Sequence, residues 1–337
     1  MLEKMNTRRW IAVGIAVLIL GISAISSGIS DKINSEARMK KMEASLMNAV
    51  NGMNEEVIEE GDSANRIAVI SVEGAIMNVP QASFLTESYD HKATLNALDD
   101  ILQDDTIKGV LLKVNSPGGG VYESAELHKR IKAIVDAKKP VYVAMGNTAA
   151  SGGYYISAPA TKIYAAPSTL TGSIGVIMGG TNLSGLMDKL GIANQTIKSA
   201  AHKDIGSNTR PMTDEERAIL QSVVDDLYGE FLNVVSQGRH MDMATLRPLA
   251  DGSVFTGKQA KQKGLVDELG YSEDALAALK KAIKCDNPEV FNYTKGLGDS
   301  FFASLFSQKA SDKELAAKLV LGALADSDRP MYLYGGE

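Results

Sequence analysis

KGVLLKVNSPGGGVYESAELHKRIKAIVDAKKPVYVAM, residues 108–145, decides the fold. Its first run, KGVLLKV, has the length and apolar density of a strand buried on both faces. NSPGGG breaks that run with a proline and three glycines. VYESAELHKRIKAIVDAKK then spaces its apolar residues as an amphipathic helix does, and PVYVAM is a second short apolar run. Two strands joined through a helix lie parallel, with the right-handed crossover that chain chirality favours.

The alternation continues in both directions. IAVISVEGAI reads as a strand ending at Gly74. After PVYVAM come a short helix at SGGYYISAPA, a strand at KIYAAP, the glycine-rich LTGSIGVIMGG, a helix around LSGLMDKLG and a strand at NQTIKS. Helices follow at TDEERAILQSVVDDLYGEFLNVVSQG, at GKQAKQKGLVDELG and at SEDALAALKKAI. Strands separated by helices define an α/β fold. Beyond about residue 286 the pattern decays, and the chain ends in the apolar, aromatic RPMYLYGGE.

Of the 337 residues, 45% are hydrophobic, enough for a sizeable core. A net charge of −6 argues against a nucleic-acid surface, which needs a basic stripe. The single cysteine, Cys285, excludes an internal disulfide and a cysteine-based zinc cluster. At the other end, WIAVGIAVLILGISAISSGI runs about 20 residues without a charge, the length that crosses a bilayer as a helix. Lys4, Arg8 and Arg9 precede it, so the positive-inside rule leaves residues 1–9 cytoplasmic and exports the rest. The expectation is a single-pass anchor over residues 10–30 in the cell membrane. The small residues of SAISSG leave a cleavable signal peptide as the alternative. Residues 31–63, polar and of mixed charge, read as a stalk.

Two glycine clusters sit at strand ends, where α/β folds place their chemistry. KVNSPGGGVYES lacks the dinucleotide spacing, since Glu123 stands where the third glycine belongs, and lacks the Lys-Ser/Thr of a phosphate loop. What it offers is bare backbone N–H at the start of a helix; a tight strand-to-helix turn is the plain alternative. AMGNTAASGGYYISAPA, residues 144–160, sets Ser151 at the start of the next helix. There it is either an ordinary cap or a nucleophile with the Gly152 N–H as an oxyanion donor. The chain has four histidines. His91, His128 and His240 read as surface or helix-end residues, and His202 draws attention chiefly to its neighbour Lys203 in IKSAAHKDIGS. A lysine serves as a general base only where desolvation brings its pKa of about 10.4 down toward neutrality.

Taken in order, KVNSPGGGVYES, NTAASGGYYISAPA, STLTGSIGVIM, IKSAAHKDIGS and VFTGKQAKQKGLVDELG resemble signal peptide peptidase A, in its short, single-repeat form, over roughly residues 64–285. The resemblance implies a membrane-anchored serine–lysine endopeptidase on the Clp-protease/crotonase-like repeated ββα scaffold, with residues 64–285 as the peptidase domain and 286–337 as a tail. It implies Ser151 as nucleophile, Lys203 as general base, Ser173 as the residue that orients Lys203, and Gly118 and Gly152 as the oxyanion donors. It implies no cofactor and no metal. Its partners would be remnant signal peptides and other small peptides, the membrane through residues 10–30, and further copies of the chain in a ring with sites where neighbours meet. Ala149, Ala150, Val121 and Ile174 suggest pockets for small or aliphatic side chains, and the C-terminal tail is a candidate self-substrate. Two other functions stay open on the residues alone: a crotonase-like acyl-CoA enzyme, and a non-enzymatic assembly whose glycines merely turn the chain.

Overall fold

The computed structural model describes residues 53–78, 89–295 and 330–334. Strands β1 (Met53–Glu59) and β2 (Asp62–Glu73) lead to helix α1 (His91–Gln103), strand β3 (Ile107–Ser116) and the short β4 (Gly118–Gly120). Helix α2 (Val121–Asp136), strand β5 (Val141–Ala150), helix α3 (Gly152–Ser157), strands β6 (Lys162–Ala165) and β7 (Leu170–Gly172) and helix α4 (Ser184–Lys189) follow. The long α5 (Asp214–Arg239) precedes α6 (Met243–Leu246), β8 (Val254–Thr256), α7 (Gly257–Gln262), β9 (Glu268–Leu269), α8 (Ser272–Ala282), β10 (Pro288–Lys295) and β11 (Met331–Leu333).

The main sheet has the order β1-β10-β2-β3-β5-β6-β9. From β10 to β9 every neighbouring pair is parallel, and β1 closes one edge antiparallel to β10. Because side chains alternate across a strand, the apolar runs feed two cores. Ala68, Ile70 and Val72 of β2, with Val110, Leu112 and Val114 of β3, pack into a large core that also takes residues of α1, α2, α3 and α5. Ile67, Val69 and Leu111 point to the opposite face and meet Ala275 and Leu279 of α8. A sheet covered on both faces is why these strands read as continuous apolar runs rather than alternating ones.

Several expectations change. The anchor over residues 10–30, and with it the membrane partner and the cell-membrane location, is corrected. Among the described residues no helix is long and apolar enough to cross a membrane, and residues 10–30 lie outside those residues. NQTIKS, residues 194–199, forms no strand, because no edge lies alongside to pair with it; the segment is exposed throughout. GKQAKQKGLVDELG is helical only over Gly257–Gln262, and its end enters the sheet as β9. Two segments outside the expected body also join it. Met53–Glu59, read as stalk, is the edge strand, and Pro288–Lys295, read as the start of the tail, pairs with β2.

Candidate active site

Strand β5 ends alongside β7, in parallel register Thr148↔Leu170, Ala149↔Thr171 and Ala150↔Gly172. The next residue on each strand is a serine, so the pairing that builds the sheet also juxtaposes Ser151 and Ser173. Ser151 joins β5 to α3 with φ +52° and ψ −115°, a conformation that residues with a Cβ rarely adopt. Its N–H donates to Gly172 C=O at 2.8 Å, and its C=O accepts from Tyr155 N–H at 2.8 Å. The residue is 1% exposed, and its side chain caps nothing. A serine held at a strained strand-to-helix junction, with its hydroxyl released from capping, has the geometry of a nucleophile elbow without that motif's spacing. The glycines after it are required by space. A Cβ on Gly152 would lie 2.7 Å from Ser124 Oγ, and one on Gly153 would lie 2.7 Å from Ser116 O. Ser173 is likewise buried, at φ +51°, with its N–H on Ser253 C=O at 2.8 Å.

Strand β4 lies next to this junction. Gly118 C=O accepts from Ile76 N–H at 2.8 Å, and Gly120 N–H donates to Ile76 C=O at 2.9 Å. Backbone groups alternate in direction along a strand, so Gly119 N–H and C=O face the other way, into a groove. Gly118 N–H is already committed to Ser116 Oγ at 3.1 Å. The amide of this loop that faces the groove is therefore that of Gly119, not that of Gly118. Gly152, as the first residue of α3, has an N–H with no intrahelical acceptor.

The groove holds a peptide strand, the chain's own β11. It pairs antiparallel with β4 in the register Met331↔Gly120, Tyr332↔Gly119 and Leu333↔Gly118. Tyr334 N–H continues that ladder by donating to Pro117 C=O at 2.7 Å, and on the other edge of β11 Met331 exchanges both hydrogen bonds with Ile177, at 2.9 and 3.1 Å. The Tyr332 carbonyl oxygen and Gly152 N fall 1.9 and 2.6 Å from the point where a Gly118 Cβ would sit. A peptide carbonyl therefore lies against the Gly119 and Gly152 amides. The Tyr332 ring is fully buried, 4.8 Å from Tyr155 and 4.6 Å from Phe231 between ring centroids, with its hydroxyl donating to Leu227 C=O at 3.2 Å. Burial drives the Tyr332 phenol pKa well above its usual value. The slot that takes the tail's Tyr332 is aromatic and ends in a carbonyl acceptor.

Lys203 is not brought to Ser151 within the protomer. It lies exposed in a run of turns between residues 199 and 206. The four histidines are engaged elsewhere. His91 is buried, with Nδ1 2.6 Å from Tyr89 Oη and Nε2 3.0 Å from Glu126. His128 packs edge-on to Tyr155, His202 Nε2 lies 3.5 Å from Glu215, and His240 is the left-handed cap of α5.

An exposed-backbone groove filled by a strand, beside a strained serine, is an arrangement that a serine peptidase can use. Residues 133–286 match peptidase family S49. The chain is 43% identical to an Enterococcus faecium protein whose name calls it a signal peptide peptidase SppA, over 98% of this chain and 100% of that one. It is 44% identical to a Methanocaldococcus jannaschii protein named as a protease, over 62% of this chain and 67% of the other. It is 35% identical to Protease 4 of Salmonella typhi, over 66% of this chain and 35% of that one. The chain belongs to the S49 peptidase family and is a serine peptidase, which sets aside the acyl-CoA enzyme and the inert assembly.

Proposed function

We propose that this chain is an endopeptidase that binds extended peptides by strand addition to β4 and cleaves them with Ser151 and Lys203, remnant signal peptides being the substrate class. The observation that supports this most is β11. It is a template for the register in which a substrate would bind, having one residue paired to Gly119 and its side chain in the slot of Tyr155 and Phe231. Strand addition supplies affinity through backbone hydrogen bonds and leaves specificity to alternate side chains.

Ser151 Oγ attacks the carbonyl carbon of the residue paired with Gly119. Lys203 Nζ, neutral, takes the hydroxyl proton, and the tetrahedral oxyanion rests on the Gly119 and Gly152 amides. The ammonium so formed protonates the leaving amine as the C–N bond breaks. Water then attacks the acyl-enzyme, giving its proton to Lys203 Nζ, and the ammonium returns that proton to Ser151 Oγ as the acyl C–O bond breaks and the acid leaves. Ser173, in register beside Ser151, orients the amine. A base lysine must be desolvated, and Lys203 is exposed in the single protomer. A second copy of the chain therefore completes the site, each Lys203 serving the Ser151 of its neighbour. The exposed Leu186, Leu190, Ile192 and Ile197 around that segment supply apolar surface for such an assembly. The test is cleavage of a synthetic signal peptide by wild type, Ser151→Ala and Lys203→Ala. Both variants are expected to lose activity, and full activity in Lys203→Ala would refute the assignment.

A further inference from the structure

The segment that carries Lys203 has little regular structure of its own. Residues 192–198 form neither helix nor strand, and residues 199–206 are turns and bends. A base must nevertheless be held within a fraction of an ångström to work. An arginine fork, that of Arg210, grips Asp204, the residue next to the lysine. Arg210 Nε donates to Asp204 Oδ2 at 2.9 Å, and Nη2 donates to Asp204 Oδ1 at 2.7 Å and to Asp204 C=O at 3.2 Å. The same guanidinium reaches Glu216 through Nη1 at 2.8 Å and Nη2 at 2.5 Å. Lys198 Nζ adds a bond of 2.7 Å to Asp204 Oδ1. Glu216 is 2% exposed and is locked in its turn by a capping box. Its Oε2 accepts from Thr213 N–H at 3.0 Å, and its own N–H donates to Thr213 Oγ1 at 3.2 Å.

Glu216 lies in the first turn of α5, and the same helix supplies Phe231 and the Leu227 carbonyl to the tyrosine slot. One rigid element is thus tied both to the lysine-bearing turns and to the specificity pocket. We infer that Asp204, Arg210 and Glu216 form a positioning clamp that fixes Lys203 for proton transfer. This rests on Lys203 being the base. The clamp needs arginine: a planar fork can chelate two carboxylates at once, whereas a lysine is a point charge that reaches one at a time.

The test uses the full chain with Arg210→Ala, Arg210→Lys and Asp204→Asn, each also combined with Lys203→Ala. It measures peptide cleavage and the rate of Ser151 labelling by a fluorophosphonate. Arg210→Ala is expected to lower kcat about 10- to 100-fold with KM little changed, Arg210→Lys not to restore it, and Asp204→Asn to fall several-fold. In the Lys203→Ala background none of them should slow the residual labelling further, because the residue they act through is gone. Wild-type rates in both Arg210→Ala and Asp204→Asn would overturn the clamp, as would losses that simply multiply with Lys203→Ala. If Arg210→Ala does not fold, Asp204→Asn alone decides by the same non-additivity. Full activity of Lys203→Ala would instead refute the proposed base, a separate outcome.

Discussion

Replacing Gly118 by alanine places a methyl group at the most crowded point of the proposed oxyanion site. Gly118 has φ +104°, a backbone conformation that costs an L-residue about 1–3 kcal/mol. The added Cβ would lie 2.6 Å from Gly152 N and 1.9 Å from Tyr332 O, where non-bonded heavy atoms ordinarily keep about 3.5–4.0 Å. Neither neighbour is a flexible side-chain end. The tail can leave, but Gly152 cannot move without tilting its N–H, and losing one oxyanion donor costs about 10²–10³ in rate. Gly118→Ala is therefore expected to slow fluorophosphonate labelling of Ser151 at least about 100-fold, to lower stability by about 1–3 kcal/mol, and to expose the C-terminus to an added protease. A folded Gly118→Ala protein that labels at the wild-type rate would refute this account of the hole.

Three further outcomes are expected. Tyr332→Ala removes a buried ring, so the tail should release the groove and KM for an added peptide should fall; an unchanged KM would mean that β11 does not compete with substrate. Burial, helped by the charge of Lys132, pushes the His128 imidazole pKa down to about 4. The unfolded chain then binds one more proton between about pH 6.5 and pH 4, so His128 contributes full stability above pH 6.5, which is lost as pH falls toward 4. Denaturant melts should show a loss of at most about 3 kcal/mol over that range, flattened in His128→Asn. Ser124 Oγ is buried without a partner, whereas Ser157 bonds back to Gly153 C=O at 2.7 Å as helical serines commonly do. Ser124→Ala should be neutral or stabilising by up to about 1–2 kcal/mol in a urea melt, and a clear loss would show that the hydroxyl is satisfied.

Much of the fold was legible because buried parallel strands and amphipathic helices leave strong patterns, as in residues 108–145. At Ser151 the glycine pair marked a tight junction, which the structure explains by the space at Gly152 and Gly153, while the residues alone left a cap and a nucleophile both open. What local pattern does not carry is direction and distance. SPGGG marks exposed backbone, but which amide faces the groove is set by the pairing of Ile76 with Gly119, more than 40 residues apart in the chain. The aromatic slot joins Tyr155, Phe231 and Tyr332 from three separate segments, so the small residues near Ser151 were a poor guide to it. β10 lies where the pattern fades because an edge-ward strand needs fewer apolar residues, and NQTIKS has a strand's composition without a strand's neighbour. Arg210 has no local signature, since its role follows from two carboxylates on either side of it. The one signal available was the acidic turn TDEE shortly after it, the start of a capped helix.

The central claim is that Ser151 of one copy works with Lys203 of another, and mixing measures it directly. Ser151→Ala and Lys203→Ala proteins, each expected to be inactive alone, are unfolded together and refolded as a one-to-one mixture, then assayed on a signal peptide. Shared sites predict recovery of about a quarter of wild-type activity, since random neighbours pair an intact serine with an intact lysine at that frequency. A mixture that stays as inactive as its components would contradict it.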